Sequence, residues 1–403
     1  MDKIKVLITP KDRDIKNAHR IVKPHLHLQE KFGDKFFVDI DFNPDFENEE
    51  YLKQYDIIVY HEYLELEVIN KFKSLGIVGI LDIDDNWSIN KNYPFYKYVK
   101  HQEEAIKAVI RNADYITTST KPLYDKLKSL APNAEVIILV DGVDAEEGQF
   151  NVETKHSEKL RFGFIGDDYS AGDIKILKGM VSKLKSDKVL DNMQIVLCGF
   201  NVDGYRNVKN PNTGETEKVK KAPKETTWYE FEQILTNNYS IVSDAYRQHL
   251  LEFKETEFPG VENEPYRRVW ARPNNKYGSY YAEFDVTLAP MDVHSYNATR
   301  SPSKAVESGF YKKPVIAQEF GVNKEILTNA LITGGLITTD GNAILVETRK
   351  NHKDWNKAIK KLVQEKWTVK GLGENLYETV KDTYNQNNVT DLRKSFYEGA
   401  VKS

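Results

Sequence analysis

The residues with the clearest chemical potential lie at 301–307, where a helix is predicted to begin. Ser301 is a favourable helix cap and Pro302 suits the first helical position, so free backbone amides at this end can bind an anion. Lys304 and Glu307 are three residues apart and share one helical face. The ammonium can pair with a diphosphate, while the carboxylate can accept hydrogen bonds from a ribose diol. This spacing predicts a nucleotide-binding site.

A second group of ionisable residues follows predicted strands in the first part of the chain. Asp82, Asp84 and Asp85 stand at the carboxyl end of a strand, and at least one should face a ligand because carboxylates are costly to bury. Asp84 or Asp85 can orient an acceptor hydroxyl or take its proton. The structural alternative is a loop with helix-capping aspartates. His61, which ends the preceding strand, is a second candidate for the same catalytic role.

Gly166 also follows a predicted strand, and it precedes a polar loop. Without a Cβ atom, its amide can approach a phosphate closely. A plain turn glycine is the alternative interpretation.

The elements that must position these residues alternate between strands and helices. The predicted strands are Lys5–Thr9, Phe36–Ile40, Asp56–Tyr60, Val78–Ile83, Tyr115–Thr118 and Val136–Val140, with helical patterns at Asn17–Lys31, Leu64–Leu75, Tyr98–Ala113 and Pro122–Leu130. Such alternation is typical of βαβ units and a parallel sheet covered on both faces. We therefore expect a doubly wound domain over residues 1–150.

After a polar linker at 144–159 the alternation restarts. Predicted strands are Arg161–Ile165, Gln194–Cys198, Phe284–Leu288 and Pro314–Ala317, and predicted helices are Asp173–Leu184, Pro302–Gly309 and Trp355–Gln364. We expect a second domain over 151–375, with a polar insertion at 201–268 that holds an exposed β-ribbon and a helix at Asp244–Lys254. Two such domains create a cleft at the carboxyl ends of their strands, where open α/β sheets bind ligands.

Composition narrows the class of protein. The 403 residues carry 57 Lys and Arg against 61 Asp and Glu, a net charge of 57 − 61 = −4, which lacks the basic excess of a dedicated nucleic-acid binder. The single cysteine, Cys198, excludes an intrachain disulfide framework and indicates a buried strand residue. With neither a signal-peptide pattern nor an apolar run of ~20 residues, we expect a cytoplasmic protein. Peripheral membrane contact stays open.

Several fragments together resemble GT-B glycosyltransferases, in particular the retaining, glycogen-synthase-like and capsule or lipopolysaccharide group. The helix with Lys304-x-x-Glu307, followed by Lys313-Pro314-Val315-Ile316, is similar to the family's donor-nucleotide segment. Further fragments agree in order: Ala113 to Thr120, Val140 to Asp144 at the domain exit, Arg161 to Gly166, and closing segments that include Leu376 to Tyr384. The resemblance implies two Rossmann-like domains facing a cleft, with residues 376–403 crossing back to the first domain.

The resemblance also implies roles for individual residues. Arg20 lies in a segment similar to the family's entry helix, with surface exposure as the alternative. The implied donor-binding set is Gly166, Asn297, Arg300, Ser301, Lys304, Glu307 and Arg20, and the catalytic candidates are Asp84, Asp85 and His61. The aspartate string also suggests Mg²⁺, but the family generally stabilises the leaving diphosphate with Lys, Arg and helix dipoles. We therefore expect neither a metal nor a cofactor, with the nucleotide sugar as co-substrate.

Two departures from the family pattern concern sugar recognition. Thr299 stands where many retaining relatives have a glutamate, so His294, Tyr296 or Asn297 would recognise the sugar. The usual Gly-Gly turn after the first strand is replaced by residues 10–13.

The sequence as a whole predicts a metal-independent transferase that moves a hexosyl or related group from a nucleotide sugar to a hydroxyl acceptor. Because the net charge is slightly acidic, a cell-surface polysaccharide or glycolipid precursor is favoured over DNA as the acceptor. Three alternatives stay open: a non-catalytic paralogue that binds sugar nucleotides or glycans, a glycosyltransferase acting on modified DNA bases, and a sugar-nucleotide epimerase of the same fold.

Overall fold

The computed structural model describes residues 2–11, 18–61, 64–89, 91, 93, 96–167, 170–209, 216–331, 335–347 and 352–402. The chain divides into two compact units. Unit 1 comprises Met1–Ala145, Val293–Ser303 and Val380–Ser403, and unit 2 comprises Glu146–Asp292 and Lys304–Thr379. The sequence predicted Val293–Ser303 as part of the second domain, whereas in the structure this segment packs with unit 1.

Unit 1 is built on a six-stranded parallel sheet. Its strands are β1 (Ile4–Ile8), β2 (Phe36–Ile40), β3 (Ile57–His61), β4 (Val78–Ile83), β5 (Tyr115–Thr118) and β6 (Glu135–Ile138), in the order β2-β1-β3-β4-β5-β6. Alternate residues of β1 enter different cores: Val6 and Ile8 pack on one face and Leu7 on the other. Both faces are covered, which explains why the central strands β1 and β3 are mostly apolar.

Along the sequence, most helices of unit 1 alternate with its strands, and the last one follows the residues of unit 2. They are α1 (Lys23–Lys31, preceded by a π-helical turn at Ala18–Val22), α2 (Glu49–Leu52), α3 (Leu66–Ser74), α4 (Tyr96–Val99), α5 (Glu103–Asn112), α6 (Lys121–Leu130) and the C-terminal α15 (Gln386–Ala400). Phe396 and Tyr397 of α15 pack into the core that holds Val6 and Ile8. His25 of α1 hydrogen-bonds the Tyr397 hydroxyl through Nε2 at 2.7 Å. The last helix is therefore an integral part of unit 1.

Unit 2 contains a second six-stranded parallel sheet. Its strands are β7 (Leu160–Ile165), β8 (Met193–Phe200), β11 (Tyr266–Trp270), β12 (Val286–Ala289), β13 (Val315–Gln318) and β14 (Ala343–Val346), in the order β11-β8-β7-β12-β13-β14. In chain order this is 3-2-1-4-5-6, the doubly wound arrangement in which the order reverses between the first and fourth strands. The reversal lies between β7 and β12.

The helices of unit 2 flank this sheet. They are α7 (Ala171–Ile174), α8 (Met180–Ser186), α9 (Thr227–Thr236), α10 (Asp244–Leu251), α11 (Ser303–Phe310), α12 (Asn323–Ile326), α13 (His352–Gln364) and α14 (Thr368–Val380), with a 3-10 helix at Asn274–Glu283. Inside the insertion, β9 (Tyr205–Lys209) pairs antiparallel with β10 (Thr216–Lys220) as the expected ribbon. Its predicted turn at 210–214 lies outside the described residues.

The structure refines several predicted elements. Helix α11 begins at Ser303 rather than at Pro302. The core strand β11 begins within residues that the sequence placed at the end of the insertion, and β14 was not predicted. Cys198 is buried as expected, and burial raises the pKa of its thiol. None of the helices in the described residues is long and apolar enough to cross a membrane.

Candidate functional site

The carboxyl edge of the unit 2 sheet carries Lys304 and Glu307 at its reversal point. After β12 the chain passes through the segment 293–303, which belongs to unit 1, and enters α11, whose first and second turns hold the two side chains. A lysine in the first helical turn is unfavourable beside the positive end of the helix dipole. The Lys304 ammonium lies 4.9 Å from the ring centroid of Phe164, a residue of β7. This cation–π contact offsets part of the unfavourable charge.

Glu307 is bound by two phenols that the sequence analysis did not identify. Tyr281 donates to Glu307 Oε2 at 2.7 Å and Tyr277 donates to the same atom at 3.1 Å. Burial and the negative charge of Glu307 raise the pKa of both hydroxyls well above the usual range. Glu307 itself is half-buried. The tyrosines therefore remain protonated donors that fix the carboxylate at this edge of the sheet.

The loop after β7 reaches the same place. Gly166 follows the strand, and a Cβ atom there would lie 2.7 Å from Cε1 of Phe164. This is the ring that the Lys304 ammonium contacts. The next residue, Asp167, acts electrostatically on Tyr277 and raises the pKa of its hydroxyl. Packing against Phe164 thus gives Gly166 a structural reason to lack a side chain. Gly166, Lys304 and Glu307 are brought together in unit 2.

In unit 1 a row of polar residues crosses the carboxyl edge of the sheet. The strand register places His61 of β3 opposite Asp82 of β4, and Asp82 opposite Thr117 of β5. Thr117 donates its hydroxyl to Asp82 Oδ1 at 2.5 Å. Strand β3 borders β1, where the strand order of this sheet reverses. Open α/β sheets bind ligands at such a point.

Arg20 completes this row as a buried partner of Asp82. Its Nε and Nη2 donate to the two carboxylate oxygens at 3.1 and 2.8 Å, and Nη1 donates to Asp141 Oδ1 at 3.2 Å and to the Leu139 carbonyl. Burial opposes ionisation of both side chains, but their mutual attraction outweighs it. The pKa of Asp82 is lowered and that of Arg20 is raised. Arg20 is only 5% exposed, so neither of the sequence-based alternatives anticipated its role in holding Asp82.

Asp84 and Asp85 follow β4 and are half-buried. The charge of Asp84 helps to raise the pKa of Arg20. Within the described residues, no group of three or more His, Cys, Asp or Glu side chains is arranged to hold a metal ion.

The segment that carries Asn297, Arg300 and Ser301 is fixed beside this loop in unit 1. Asn86 Nδ2 donates to the Ser295 carbonyl at 2.9 Å, and Thr120 Oγ1 donates to the Thr299 carbonyl at 2.8 Å.

Aromatic contacts hold the same segment. The ring of Tyr93 lies 5.2 Å from His294 and 4.8 Å from Tyr296. Asn297 and Thr299 are buried, while Arg300 and Ser301 are half-buried. Asn86 and Thr120 were not identified from the sequence, because their partners lie about 200 residues away in the chain.

Comparisons with known proteins identify the fold. No family model matches the chain. No curated protein sequence matches it either. Solved structures match its full length: sucrose-phosphate synthase from Thermosynechococcus elongatus (13% identity, 99% of each chain, TM-score 0.57), Anabaena HepE with UDP and glucose (11%, 98% of this chain and 100% of that one, 0.59) and a glycosyltransferase from Rickettsia africae (11%, all of both chains, 0.59).

At these identities the similarity establishes the fold. The two Rossmann-like α/β units that the GT-B resemblance predicted are confirmed, and this chain shares its fold with these three solved structures.

Proposed function

We propose that this protein is a glycosyltransferase that moves a sugar from a nucleotide-diphosphate donor to a hydroxyl acceptor. The observation that carries the proposal is the pair Lys304 and Glu307, one helical turn apart at the reversal point of the unit 2 sheet, with Glu307 fixed by Tyr277 and Tyr281. The fold shared with HepE, solved with UDP and glucose, supports the same assignment.

The donor occupies unit 2 in this proposal. Lys304 pairs with the diphosphate, Glu307 accepts hydrogen bonds from the ribose diol, and the Gly166 amide approaches a phosphate. As the glycosidic bond breaks, the leaving diphosphate gains negative charge, which the Lys304 ammonium and the first amides of α11 stabilise. Asn297, Arg300 and Ser301, which the resemblance assigned to the donor, belong to unit 1 and are not assigned to this unit 2 site. The reaction then requires neither a metal ion nor a cofactor and proceeds with retention at the anomeric carbon.

The acceptor is handled by unit 1. His61, Asp84 or Asp85 orients the acceptor hydroxyl and takes its proton. Arg20 acts as a positioning residue, because it holds Asp82 at the centre of the row that contains His61. The acceptor is a cell-surface polysaccharide or glycolipid precursor, and the protein works in the cytoplasm, in peripheral contact with a membrane where the acceptor is lipid-linked.

The experiment is a turnover assay with radiolabelled UDP-, GDP- and ADP-sugars and either a glycolipid extract or DNA as the acceptor, with and without EDTA. We expect labelled product or hydrolysed donor with one donor class, unaffected by EDTA, and an anomeric configuration that matches the donor. Donor binding without turnover would identify a non-catalytic binding protein instead. Transfer to DNA that falls steeply between 50 and 200 mM salt would replace the glycan acceptor by a nucleic acid.

A further inference from the structure

Lys313 is a buried lysine that the proposed mechanism does not use. It follows α11, and only 6% of it is exposed. Its ammonium donates to the main-chain carbonyls of Tyr281 and Phe284, at the end of the 3-10 helix. Burying an ammonium is unfavourable, and a methionine of similar length would pack in the same place without desolvating a charge. The stability of the core therefore does not explain why a lysine stands here.

One stretch of the chain holds Tyr281 by both its side chain and its backbone. Glu307, on α11, accepts the hydrogen bond of the Tyr281 hydroxyl at 2.7 Å, while Lys313, six residues later, binds the Tyr281 carbonyl. The ring between these contacts is fully buried, and it stacks on Tyr311 with 5.7 Å between centroids and 25° between planes. Tyr281 therefore cannot change position without breaking one of these contacts.

Hydrogen bonds also tie Lys313 to the end of α11. Its backbone amide donates to the Ser308 carbonyl at 2.9 Å, and the Ser308 hydroxyl donates to the Lys313 carbonyl at 2.9 Å. The Ser308 hydroxyl in turn lies 2.6 Å from the hydroxyl of Thr287 on β12. Because Ser308 directly follows Glu307, these bonds fix where Lys313 stands relative to the Glu307 carboxylate.

We propose that Lys313 is a positioning residue of the donor site, which acts through Tyr281 on the Glu307 carboxylate. Its two hydrogen bonds hold the end of the 3-10 helix, and that helix carries both phenols that orient Glu307. Lys313 itself does not touch the donor. The inference rests on the proposed function, because the ligand of the oriented carboxylate is the ribose diol of the nucleotide sugar.

The charge of Lys313 makes this support sensitive to pH. Burial lowers the pKa of its ammonium to about 7, despite nearby carboxylates. A charged donor forms hydrogen bonds about twice as strong as those of a neutral donor. The ammonium, which predominates at lower pH, therefore holds Tyr281 more firmly than the neutral amine does. Because the donor binds best when Tyr281 is held, its affinity should fall as pH rises from 6 to 8.

The other ionisable groups that face Lys313 are paired or neutral. They are Asp285, Arg161, Glu283, Cys198, Tyr281 and Tyr311. Asp285 pairs with Arg161 at 2.8 Å. Burial opposes ionisation of Glu283, but two paired arginines outweigh it and lower the pKa of its carboxyl. The thiol and both phenols stay protonated because burial raises the pKa of each. We therefore assign to Lys313 the change in donor affinity expected near pH 7.

The test is a calorimetric titration of UDP-, GDP- and ADP-glucose into the full-length wild type, Lys313→Met, Tyr281→Phe and the double variant. We expect each single variant to bind the donor roughly fivefold more weakly. Adding Lys313→Met to Tyr281→Phe should weaken binding only about twofold further, through Tyr277, because residues that act through one connection are not additive. Lys324→Met removes an exposed lysine of unit 2, and this control should bind as the wild type does.

A pH profile tests the same connection in protein that retains Lys313. Between pH 6 and pH 8 the donor affinity of the wild type should fall by about two- to fivefold, and the decrease should be smaller in Tyr281→Phe. Lys313→Met should show no such decrease. Urea denaturation at each pH verifies that every sample is folded.

A purely structural role of Lys313 gives a different result. Lys313→Met would then change the stability of unit 2 but bind the donor as tightly as Lys324→Met, which overturns the proposal. Two further results overturn it: affinity losses of Lys313→Met and Tyr281→Phe that multiply in the double variant, or a wild-type donor affinity that stays constant between pH 6 and pH 8.

Amide hydrogen exchange over residues 277–284, measured at pH 7 without nucleotide, distinguishes failure of this inference from failure of the proposed function. We expect faster exchange in Lys313→Met than in Lys324→Met. If that difference appears in a protein that binds none of the three nucleotide sugars, the transferase proposal is overturned, and Lys313 is left as the support of Tyr281. Donor binding and sugar transfer that are the same in both variants would overturn the positioning role alone.

Discussion

The hydroxyl of Tyr281 donates a 2.7 Å hydrogen bond to Glu307 Oε2 from a 3-10 helix that lies 26 residues earlier in the chain. The phenol is buried and remains protonated at physiological pH, so it stays a neutral hydrogen-bond donor to the carboxylate. The orientation of Glu307 is thus built into unit 2 before a ligand binds.

Replacing Tyr281 by phenylalanine should therefore weaken nucleotide-sugar binding by about 1 kcal/mol, roughly fivefold, because one hydrogen bond that orients Glu307 is lost. Tyr277→Phe should have a smaller effect, since its contact is longer at 3.1 Å. Calorimetric titration of both variants measures this order. Equal affinity in Tyr281→Phe and the wild type would show that Glu307 needs no such support.

Gly166→Ala should destabilise unit 2 by about 1–3 kcal/mol, because the new methyl group would lie 2.7 Å from the Phe164 ring. Displacing that ring should also lower the affinity for the donor, since Lys304 rests on it. Gly148→Ala is the matched control, because nothing lies within 4 Å of a Cβ at that position. Urea denaturation of the two variants compares their stabilities, and a Gly166→Ala protein as stable as Gly148→Ala would contradict the packing argument.

Asp82→Ala should destabilise unit 1 by about 3–5 kcal/mol, because it leaves the buried Arg20 guanidinium without its main partner. The pKa of Asp82 is lowered in the folded protein, so the stabilisation is present above the pKa of the unfolded chain and is lost as pH falls through the folded value. Urea midpoints between pH 7 and pH 3 measure this loss. The acid-dependent decrease should be smaller in Asp82→Ala, and parallel curves would refute the assignment.

Lys313 predicts a pH effect of the same direction in the alkaline range. Its ammonium is buried and donates to the carbonyls of Tyr281 and Phe284, and burial lowers its pKa to about 7 despite the nearby carboxylates of Asp285 and Glu283.

The unfolded chain therefore binds more protons than the folded protein above pH 7, and the free energy of unfolding should rise with pH from 7 to 9, at up to about 1.4 kcal/mol per pH unit. Lys313→Met should remove this rise, whereas the exposed Lys324→Met should retain it. Denaturant titrations at pH 7, 8 and 9 provide the measurement. A rise that persists in Lys313→Met would assign it to another group.

Asp84→Asn, Asp85→Asn and His61→Ala should separate the acceptor-side candidates. The variant that removes the proton acceptor should lower turnover by about 10²–10⁴-fold while donor affinity stays the same, because none of the three residues is assigned to the nucleotide. Initial rates at saturating donor, together with calorimetric donor affinities, measure the two quantities. Full activity in all three variants would place the acceptor base on a residue not yet identified.

Local sequence patterns predicted the elements and residues that depend on nearby positions. The β-branched runs of β2, β4 and β5 marked strands with correct limits, and Lys304 and Glu307 were recognisable because three-residue spacing fixes a helical face. Strand β11 was missed because Arg267 and Arg268 made it resemble a polar insertion. In the structure their charges are matched by Glu283 and Glu232, a pairing that spacing along the chain does not reveal.

The supporting contacts of the candidate site depend on residues far apart in sequence. Tyr277 and Tyr281 lie in a 3-10 helix with no motif to identify them, and Arg20 meets Asp82 only once β4 is placed near the start of α1. Helix α11 begins at Ser303, so Pro302 precedes the helix. The sequence pattern placed Pro302 inside it because proline is favoured at the first helical position.

The central claim, that Lys304 and Glu307 hold the nucleotide of a sugar donor, is tested most directly by calorimetric titration of UDP-, GDP- and ADP-glucose into the full-length protein. We predict that one of them binds, and that its affinity falls in Glu307→Ala by about 1.5–3 kcal/mol, at least tenfold, while Glu262→Ala, an exposed glutamate of the same unit, retains it. Lys304→Ala should show a comparable loss, with Lys276→Ala as its control. Affinity that is the same in Glu307→Ala and Glu262→Ala would contradict the account.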